Sequence, residues 1–457
     1  MQSPPRLDLE SIIDASRVGR FQIVIMVLCA LIAMLDGFDT QAIAFVAPAI
    51  LQEWHLAPAV FGPVFGAGLF GGLLGAIIFG AISDRIGRKP ALLFAVLLFS
   101  AGSLVTPLST SVPMLAGVRL VTGLGLGGAL PSFISLTSEY APKRLRATLV
   151  ATMFCGFPLG AVVGGLASTR LIPAFGWSSV FIAGGVLPIL IMPLFLALAP
   201  ESVRYLALRH DYVRIRRVLS RMGAAEQWNG EIPRSTHGVR APIRSLFQHG
   251  RAPGTILLWT TLFLSLLLTY FLINWIPLVA QRNGLDIRSA VHAVAMLNLG
   301  SVAGCVILGR LADRFGTSRV IGWAFALGAL AIASIGFAGQ SGTLLSMITF
   351  VSGFLSIGAQ MCTVALCAGF YDTSSRATGI GWSMGIGRVG AIIGPVLGGI
   401  LLGAGMDASQ LFIAVGATSL GAAIAVFAIG KVLMRQTRTP GNQVTMHDSP
   451  VLPRRIG

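Results

Sequence analysis

The chain has 457 residues, of which 54% are apolar and only 11% are charged, and its mean hydropathy is +0.81. Too few polar side chains are present to cover a folded surface in water. This composition excludes a soluble protein and indicates a membrane protein. The formal net charge of +16 suggests nucleic acid at first sight. Its distribution along the chain decides against such a partner, because the basic residues collect on one side of the predicted membrane topology.

Twelve apolar stretches are each long enough to supply the roughly 20 helical residues that cross a bilayer. This pattern predicts an all-α membrane protein with twelve transmembrane helices. The predicted spans begin near residues 21, 59, 90, 112, 147 and 177, and then near 253, 288, 318, 343, 378 and 408.

Basic residues fix the expected orientation of these spans. Of the 33 Lys and Arg residues, 28 fall on one side, two lie within spans, and only Arg170, Arg282 and Arg288 fall on the other side. The positive-inside rule therefore predicts a multi-pass protein of the cytoplasmic (inner) membrane with both termini in the cytoplasm. The expected parts are a cytoplasmic segment 1–20, a six-helix bundle 21–200, a cytoplasmic linker 201–252, a second six-helix bundle 253–434 and a tail 435–457.

Span one contains two aspartates, Asp36 and Asp39, three residues apart on one helix face. An ionisable group at a helix centre costs about 3 kcal/mol or more in a bilayer, so such groups are candidates for function. Counting about 1.5 Å per residue places Asp36 and Arg119 of span four at similar depths, where they could meet. We expect these three groups to couple transport to protons. The alternatives are that Arg119 joins two helices structurally and that Asp39 bonds to local backbone.

The loop between spans two and three reads Gly-Ala-Ile-Ser-Asp-Arg-Ile-Gly-Arg-Lys over residues 80–89. Asp84, Arg85 and Arg88 can form a charge cluster at the cytoplasmic rim that assembles when the inner mouth closes. The plainer interpretation is a basic membrane anchor with a turn.

Part of this motif recurs in the second half of the chain, which indicates a duplication. Residues 309–316 repeat residues 80–87 as Gly-Arg-Leu-Ala-Asp-Arg-Phe-Gly, and Arg146-Ala-Thr recurs at Arg376, so both offsets are close to 230 residues. The copy contains Asp313 and Arg314 but lacks the basic tail. Two related halves of a transporter surround a central site near the bilayer midplane.

A single arginine, Arg388, falls near the midplane of span eleven, about 15 Å from the inner surface. A guanidinium stays charged and presents a planar fork to a carboxylate, so we expect Arg388 to hold an anion. The alternative is packing against span-terminal carbonyls. Candidates to complete the pocket are Asp39, Phe157, Tyr270, Asn274, Asn298, Gln360 and Trp382, although such residues are often core packing or interfacial belt.

These motifs resemble a known family. Residues 80–89 match the signature of the major facilitator superfamily, and Asp36-Gly-Phe-Asp39 resembles the D-G-x-D motif of its aromatic acid:proton symporters. Similarity also runs through residues 119–131, 138–142, 200–202 and 387–395, which include Glu139. The resemblance implies two pseudo-symmetric six-helix bundles, proton coupling by the two aspartates with Arg119, and arginines needed for transport at Arg376 and Arg388. With the repeat, it makes Glu139, Arg146 and Arg376 gating candidates.

The sequence thus predicts a proton-coupled symporter that imports aromatic carboxylates of benzoate, hydroxybenzoate or phenoxyacetate type by alternating access. Alternatives are a symporter for sugar acids or other organic anions and a drug:proton antiporter, although two deep arginines favour an anionic cargo. We expect a monomer with no cofactor and no metal. An enzyme is not expected, because the spans contain no His, Cys or Ser cluster with catalytic spacing.

Overall fold

The computed structural model describes residues 9–16, 18–142, 144–223, 228, 243–248, 250–371 and 375–438. Most of the predicted N-terminal segment, much of the linker and nearly all of the predicted tail lie outside these residues. The described chain folds into seventeen α-helices. Their bounds are α1 Leu9–Ala15, α2 Arg20–Glu53, α3 Phe61–Ile86, α4 Arg88–Val105, α5 Val112–Tyr140, α6 Arg146–Phe154, α7 Gly156–Phe175, α8 Ser178–Leu198, α9 Val203–Leu208, α10 Tyr212–Arg221, α11 Ala252–Arg282, α12 Ile287–Phe315, α13 Thr317–Ile335, α14 Gly342–Ser352, α15 Gly358–Phe370, α16 Arg376–Gly403 and α17 Ala408–Arg438.

Twelve stretches of helix are long and apolar enough to cross a membrane, and each begins within two residues of its predicted start. The predicted all-α class and the number of spans are therefore confirmed. Two spans are irregular. The fifth is divided between α6 and α7 at Cys155, and the tenth joins α14 to α15 through a π-helical turn at Gly353–Ile357. Such a turn is a local change of helical pitch and is frequent at functional positions.

Close helix contacts repeat with the period seen in the sequence. A Cβ atom added to Gly160 of α7 would overlap the carbonyl of Met34 in α2, and one added to Gly390 of α16 would overlap the carbonyl of Phe263 in α11. The two glycines are 230 residues apart and their partners 229. Small residues let membrane helices approach to backbone contact, so the pairs α2–α7 and α11–α16 pack in equivalent ways.

The two copies of the loop motif also share a backbone feature. Gly87 ends α3 with φ of 105°, and Gly316 ends α12 with φ of 95°. Any other residue would be strained there, because a Cβ disfavours positive φ. At Gly87 a side chain would in addition collide with the carboxylate of Glu201. Each glycine therefore permits a tight reversal between two spans.

The apolar core divides the molecule into a closed end and an open end. We call the end where α8 ends and α11 begins the linker end, and the opposite one the far end. One buried cluster at the far end contains residues of both halves, including Phe65 of α3 and Trp275 of α11. Near the linker end the cores are separate, with Tyr140 in the cluster of the first half and Phe370 in that of the second. The halves are thus packed together at the far end and apart at the linker end.

Candidate functional site

A cavity lies between the halves where α2, α3, α5 and α7 face α11 and α16. Its volume is about 680 Å³, counting open space at its mouth. Sites for small ligands are mostly apolar, with a few polar groups that orient the ligand. The lining fits this description: it combines aliphatic side chains and glycines with Asp36, Thr40, Arg119, Phe157, Tyr270, Asn274 and Arg388.

The position of the Phe157 ring depends on the glycine between the two aspartates. A Cβ on Gly37 would overlap the carbonyl and the Cα of Phe157. The α2 and α7 backbones are therefore in contact at this point, which holds Phe157 beside Asp36 at the cavity wall. The motif Asp-Gly-Phe-Asp thus sets a helix crossing as well as supplying acidic groups.

Two opposite charges face the cavity from different halves. Asp36 of α2 is buried and accepts a hydrogen bond from the Thr40 hydroxyl at 3.2 Å. Arg388 of α16 is half-buried and lies within electrostatic range of both Asp36 and Tyr270. In the described part of the chain, no carboxylate lies within ion-pair distance of the Arg388 guanidinium. A ligand carboxylate can therefore approach this guanidinium without displacing an existing ion pair.

The other aspartate has a different environment. Asp39 is fully buried, its Oδ2 lies 3.3 Å from Nη1 of Arg119, and Nη2 of the same arginine donates to the Asp39 carbonyl at 3.1 Å. The Ser103 hydroxyl donates to the Asp39 carboxylate, and the Phe181 ring covers the guanidinium with its centroid 5.4 Å away. The pair joins four helices of the first half.

This geometry corrects two expectations. The depth estimate favoured an ion pair between Asp36 and Arg119, but Arg119 contacts Asp39, which lies about 4.5 Å further along α2. Asp39 was also expected to contact substrate, yet it is not among the residues that line the cavity. Depth along a helix axis does not specify the direction in which a side chain points, which is why the estimate selected the wrong aspartate.

Three further pocket candidates do not line the cavity. Asn298 is buried and bonds to Gln41 of the opposite half, and Gln360 is buried in α15. Trp382 is 46% exposed and stacks on Trp259 with ring centroids 6.1 Å apart. Phe157, Tyr270, Asn274 and Arg388 do line it, and the Asn274 amide donates to the Tyr270 carbonyl at 2.7 Å, which orients the amide.

Two polar residues of span one, Thr40 and Gln41, were not among the candidates expected from the sequence. Neither is ionisable, so neither entered a search for charges in spans. A search for uncharged polar side chains near the middle of an apolar helix would have found both, since each must find a hydrogen-bond partner there.

At the linker end, the loop motif forms contacts within the first half. The Arg88 guanidinium lies 2.5 Å from the Asp84 carboxylate, and the backbone N–H groups of Arg88 and Lys89 donate to one oxygen of Glu201 at 2.8 and 3.1 Å. The Arg85 carbonyl accepts from the hydroxyl of Tyr205 at 3.3 Å. These bonds fix the start of α4 to the segment that follows α8.

The other gating candidates differ between the halves. Glu139 accepts from the hydroxyls of Ser135 and Ser202 at 2.8 and 2.5 Å. Arg146 lies 3.8 Å from the carboxylate of Asp14, so the short helix α1 contacts the start of α6. The second-half candidates have fewer contacts. Asp313 and Arg314 are exposed and neither forms an ion pair with a described residue, while the side chain of Arg376 lies outside the described residues.

Among the described residues, no group of three or more His, Cys, Asp or Glu side chains could hold a metal ion. The polar groups at the cavity are instead suited to electrostatic recognition of an anion and to proton exchange.

The chain is similar to characterised transporters over nearly its whole length. It is 39% identical to the gallate transporter of Pseudomonas putida, over 96% of this chain and 99% of that protein. It is also 39% identical to the 4-hydroxybenzoate transporter PcaK of Pseudomonas aeruginosa, over 93% and 95% of the two chains. The 3-(3-hydroxy-phenyl)propionate transporter of Escherichia coli is 35% identical, over 88% and 92%.

Solved structures with the same fold are also transporters. A bacterial homologue of the human lysosomal transporter Spinster, in an inward-facing and unoccupied conformation, matches with a TM-score of 0.73 at 16% identity, over 93% of this chain and all of that one. The inward-open xylose transporter XylE of Escherichia coli matches with a TM-score of 0.68 at 17% identity, over 89% and 96%. At these identities the similarity establishes the fold alone.

The sequence profile of the Major Facilitator Superfamily matches residues 29–310 and 293–453, which together cover both bundles. This family consists of transporters and not of enzymes. Together with the twelve spans, the central cavity and the relatives described above, the match shows that the chain belongs to the Major Facilitator Superfamily and is related to its aromatic acid transporters.

Proposed function

We propose that the protein is a proton-coupled symporter that imports aromatic carboxylates of the benzoate and hydroxybenzoate type. The main support is that Asp36 and Arg388, from different halves, face one cavity that Phe157 and Tyr270 also line. Arg388 would bind the carboxylate through charge-assisted hydrogen bonds, and the two aromatic rings would contact the ring of the substrate. Relatives at 39% identity are named for gallate and 4-hydroxybenzoate, which are substrates of this chemistry.

Charge balance in the cavity explains why a proton should accompany the anion. In the empty cavity, ionised Asp36 and Arg388 together are neutral. Addition of a carboxylate alone leaves one net negative charge, which is unfavourable in a site surrounded by hydrocarbon. Protonation of Asp36 restores neutrality, so the carrier with both anion and proton bound can change conformation as readily as the empty one. Symport with one proton per anion follows.

The buried pair of Asp39 and Arg119 would support this exchange without taking up the proton itself. Because it is neutral as a pair and lies behind the cavity wall, it holds α2 against α5 while Asp36 changes charge. Arg119 also reaches the cavity lining, where Asp39 balances its charge.

Alternating access would arise from rocking of residues 21–200 against residues 253–434, with the linker 201–252 between them. In the described conformation the halves are separate at the linker end, which we propose faces the cytoplasm on the basis of the positive-inside rule. The contacts of Asp84, Arg88 and Glu201 lie at this end and would meet the second half when it closes. One chain lines the whole cavity, so we propose that the monomer is the transporting unit.

Transport into proteoliposomes tests this function directly. With an imposed pH gradient, acid outside, labelled 4-hydroxybenzoate should accumulate inside above its external concentration. A protonophore should abolish the accumulation, because the free energy comes from the proton gradient. Accumulation that persists after the gradient has collapsed would refute proton coupling.

Competition distinguishes the remaining cargo classes. An excess of benzoate should inhibit uptake of the labelled substrate, whereas glucuronate, which is an anion without an aromatic ring, should not. Equal inhibition by both would favour a general organic-anion transporter. Because Arg388 is the ligand proposed for the carboxylate, uncharged 4-hydroxybenzyl alcohol serves as a control that should not compete.

A further inference from the structure

A buried pair of carboxamides connects the two halves at the far end of the cavity. The Gln41 amide nitrogen donates to the Asn298 side-chain oxygen at 3.1 Å, and the Asn298 amide nitrogen donates back to the Gln41 oxygen at 2.9 Å. Asn298 also donates to the carbonyl of Val294 at 2.9 Å. Gln41 belongs to α2 of the first half and Asn298 to α12 of the second. Both are almost fully buried, at 0% and 4% exposure.

Other contacts between the halves also lie at this closed end. The rings of Phe65 and Trp275 meet edge to face with centroids 5.6 Å apart, and a Cβ on Gly62 would lie 3.2 Å from the Cα of Gly399. These contacts are apolar or depend on close backbone approach, and they can slide. The carboxamide pair is directional, because two hydrogen bonds form only in one alignment of α2 against α12.

Separation of the halves must break both bonds. An amide left in an apolar interior without a partner is unfavourable, so the pair favours the state in which the far end is closed. Reopening of the far end requires water or other polar groups to replace the lost bonds. The pair therefore stabilises the closed state and also adds to the free-energy barrier for opening.

The pair is adjacent to the cavity along the same helix. Thr40 precedes Gln41 and donates to the carboxylate of Asp36, so one stretch of α2 carries the proposed proton site and the contact between halves. A change in the charge or position of Asp36 can therefore be transmitted to Gln41 through fewer than two turns of rigid helix.

From this arrangement we propose that Gln41 and Asn298 form a latch that holds the far end closed and that must open in each transport cycle. Both are positioning residues, since neither lines the cavity in this state. The proposal rests on the alternating access described above but does not depend on the identity of the cargo.

The test compares variants that break the pair with one that restores it. Gln41→Met and Asn298→Leu each remove both hydrogen bonds of the pair while preserving much of the volume. The double exchange Gln41→Asn with Asn298→Gln keeps two carboxamides and the same total side-chain length. Thr269→Val is a matched control, because its buried hydroxyl bonds only to the Ser265 carbonyl within α11.

Closure of the far end can be measured with an engineered disulfide. A Cβ on Gly403 would lie 3.6 Å from the Cβ of Ala59, which is within the ~3.5–4.5 Å that a disulfide requires. Ala59→Cys and Gly403→Cys would be introduced together after the five native cysteines are replaced by alanine. Each single latch variant should reduce the initial rate of oxidative cross-linking in membranes, while the exchange variant and Thr269→Val should match the parent.

A second reporter measures opening. Val64 lines the cavity and is fully buried at the far end, so Val64→Cys should react with a membrane-impermeant maleimide from outside only when that end opens. Each single latch variant should raise the labelling rate by about three- to tenfold. Unchanged cross-linking and labelling in the single variants, or an exchange variant that behaves like them, would overturn the latch.

These measurements test the latch independently of the proposed cargo. Cross-linking and labelling need no substrate, so they can establish the latch even if the protein does not transport 4-hydroxybenzoate. Conversely, uptake of the aromatic acid combined with unchanged accessibility in all variants would leave the proposed function intact and refute the latch.

Discussion

Recognition of the anion should depend on the shape of the Arg388 side chain as well as on its charge. Arg388→Lys keeps the charge but replaces a planar fork with a point charge, which cannot form two parallel bonds to a carboxylate. We expect the KM for 4-hydroxybenzoate to rise by about tenfold or more, because charge-assisted hydrogen bonds of this kind contribute ~1.5–3 kcal/mol. The measurement is initial uptake rate against substrate concentration, normalised to the amount of protein in the membrane.

A conservative change on the outer surface of the same bundle provides the control. Arg319→Lys alters an exposed arginine of α13 that forms no ion pair with a described residue, and it should leave the KM unchanged. If Arg388→Lys also leaves the KM unchanged, the carboxylate is bound elsewhere and the proposed site is wrong.

Substitution of the two aspartates should have different effects. Asp36→Asn removes the proton acceptor but imitates the protonated, neutral side chain. Exchange of labelled for unlabelled substrate should therefore continue, whereas accumulation driven by a pH gradient should be lost. Both assays use the same proteoliposomes, so a variant that loses exchange as completely as accumulation would contradict the assignment of Asp36 to proton coupling.

Asp39→Asn should instead lower the stability of the protein. The substitution leaves the Arg119 guanidinium buried without its carboxylate, and breaking a buried pair in this way costs about 3–5 kcal/mol. We expect a clearly lower midpoint of thermal unfolding in detergent. Asp84→Asn is the control, because the Asp84 side chain is 62% exposed and its pair with Arg88 should contribute no more than ~1 kcal/mol. Equal midpoints for the two variants would refute a structural role for the buried pair.

At the scale of helices, the contact between α2 and α7 depends on one glycine. Gly37→Ala would place a Cβ into the backbone of Phe157, so the helices must separate and the cavity wall must move. The expected result is loss of substrate binding together with a lower unfolding midpoint. Gly117→Ala is the matched control, since the Cβ there meets no atom within 4 Å and alanine is the better helix former. Normal binding by Gly37→Ala would show that this crossing tolerates displacement.

The helices themselves could be predicted closely from the sequence, whereas their facing partners could not. Apolar length alone located all twelve spans, because the bilayer imposes it on each helix separately. Which side chain meets Arg119 depends on the rotation and tilt of two helices, which composition does not specify. For the same reason Asn298 was expected in the pocket, although it faces Gln41. Arg388 and Asp36 both line the cavity, in keeping with the principle that a charge is retained in hydrocarbon mainly where a cavity surrounds it.

For the molecule as a whole, the neutral-cavity argument predicts electroneutral transport. The carrier would cross between states either empty, with Asp36 and Arg388 ionised, or loaded with one anion and one proton, and the cavity has no net charge in either case. A membrane potential should therefore neither drive nor oppose uptake, whereas a pH gradient should drive it.

Proteoliposomes loaded with potassium and treated with valinomycin allow the potential to be set without a pH gradient. Uptake should then reach equilibration but not accumulation at any potential. Accumulation driven by an inside-negative potential would mean that more than one proton enters with each anion, in which case a second acidic group must titrate and Asp39 becomes the residue to test.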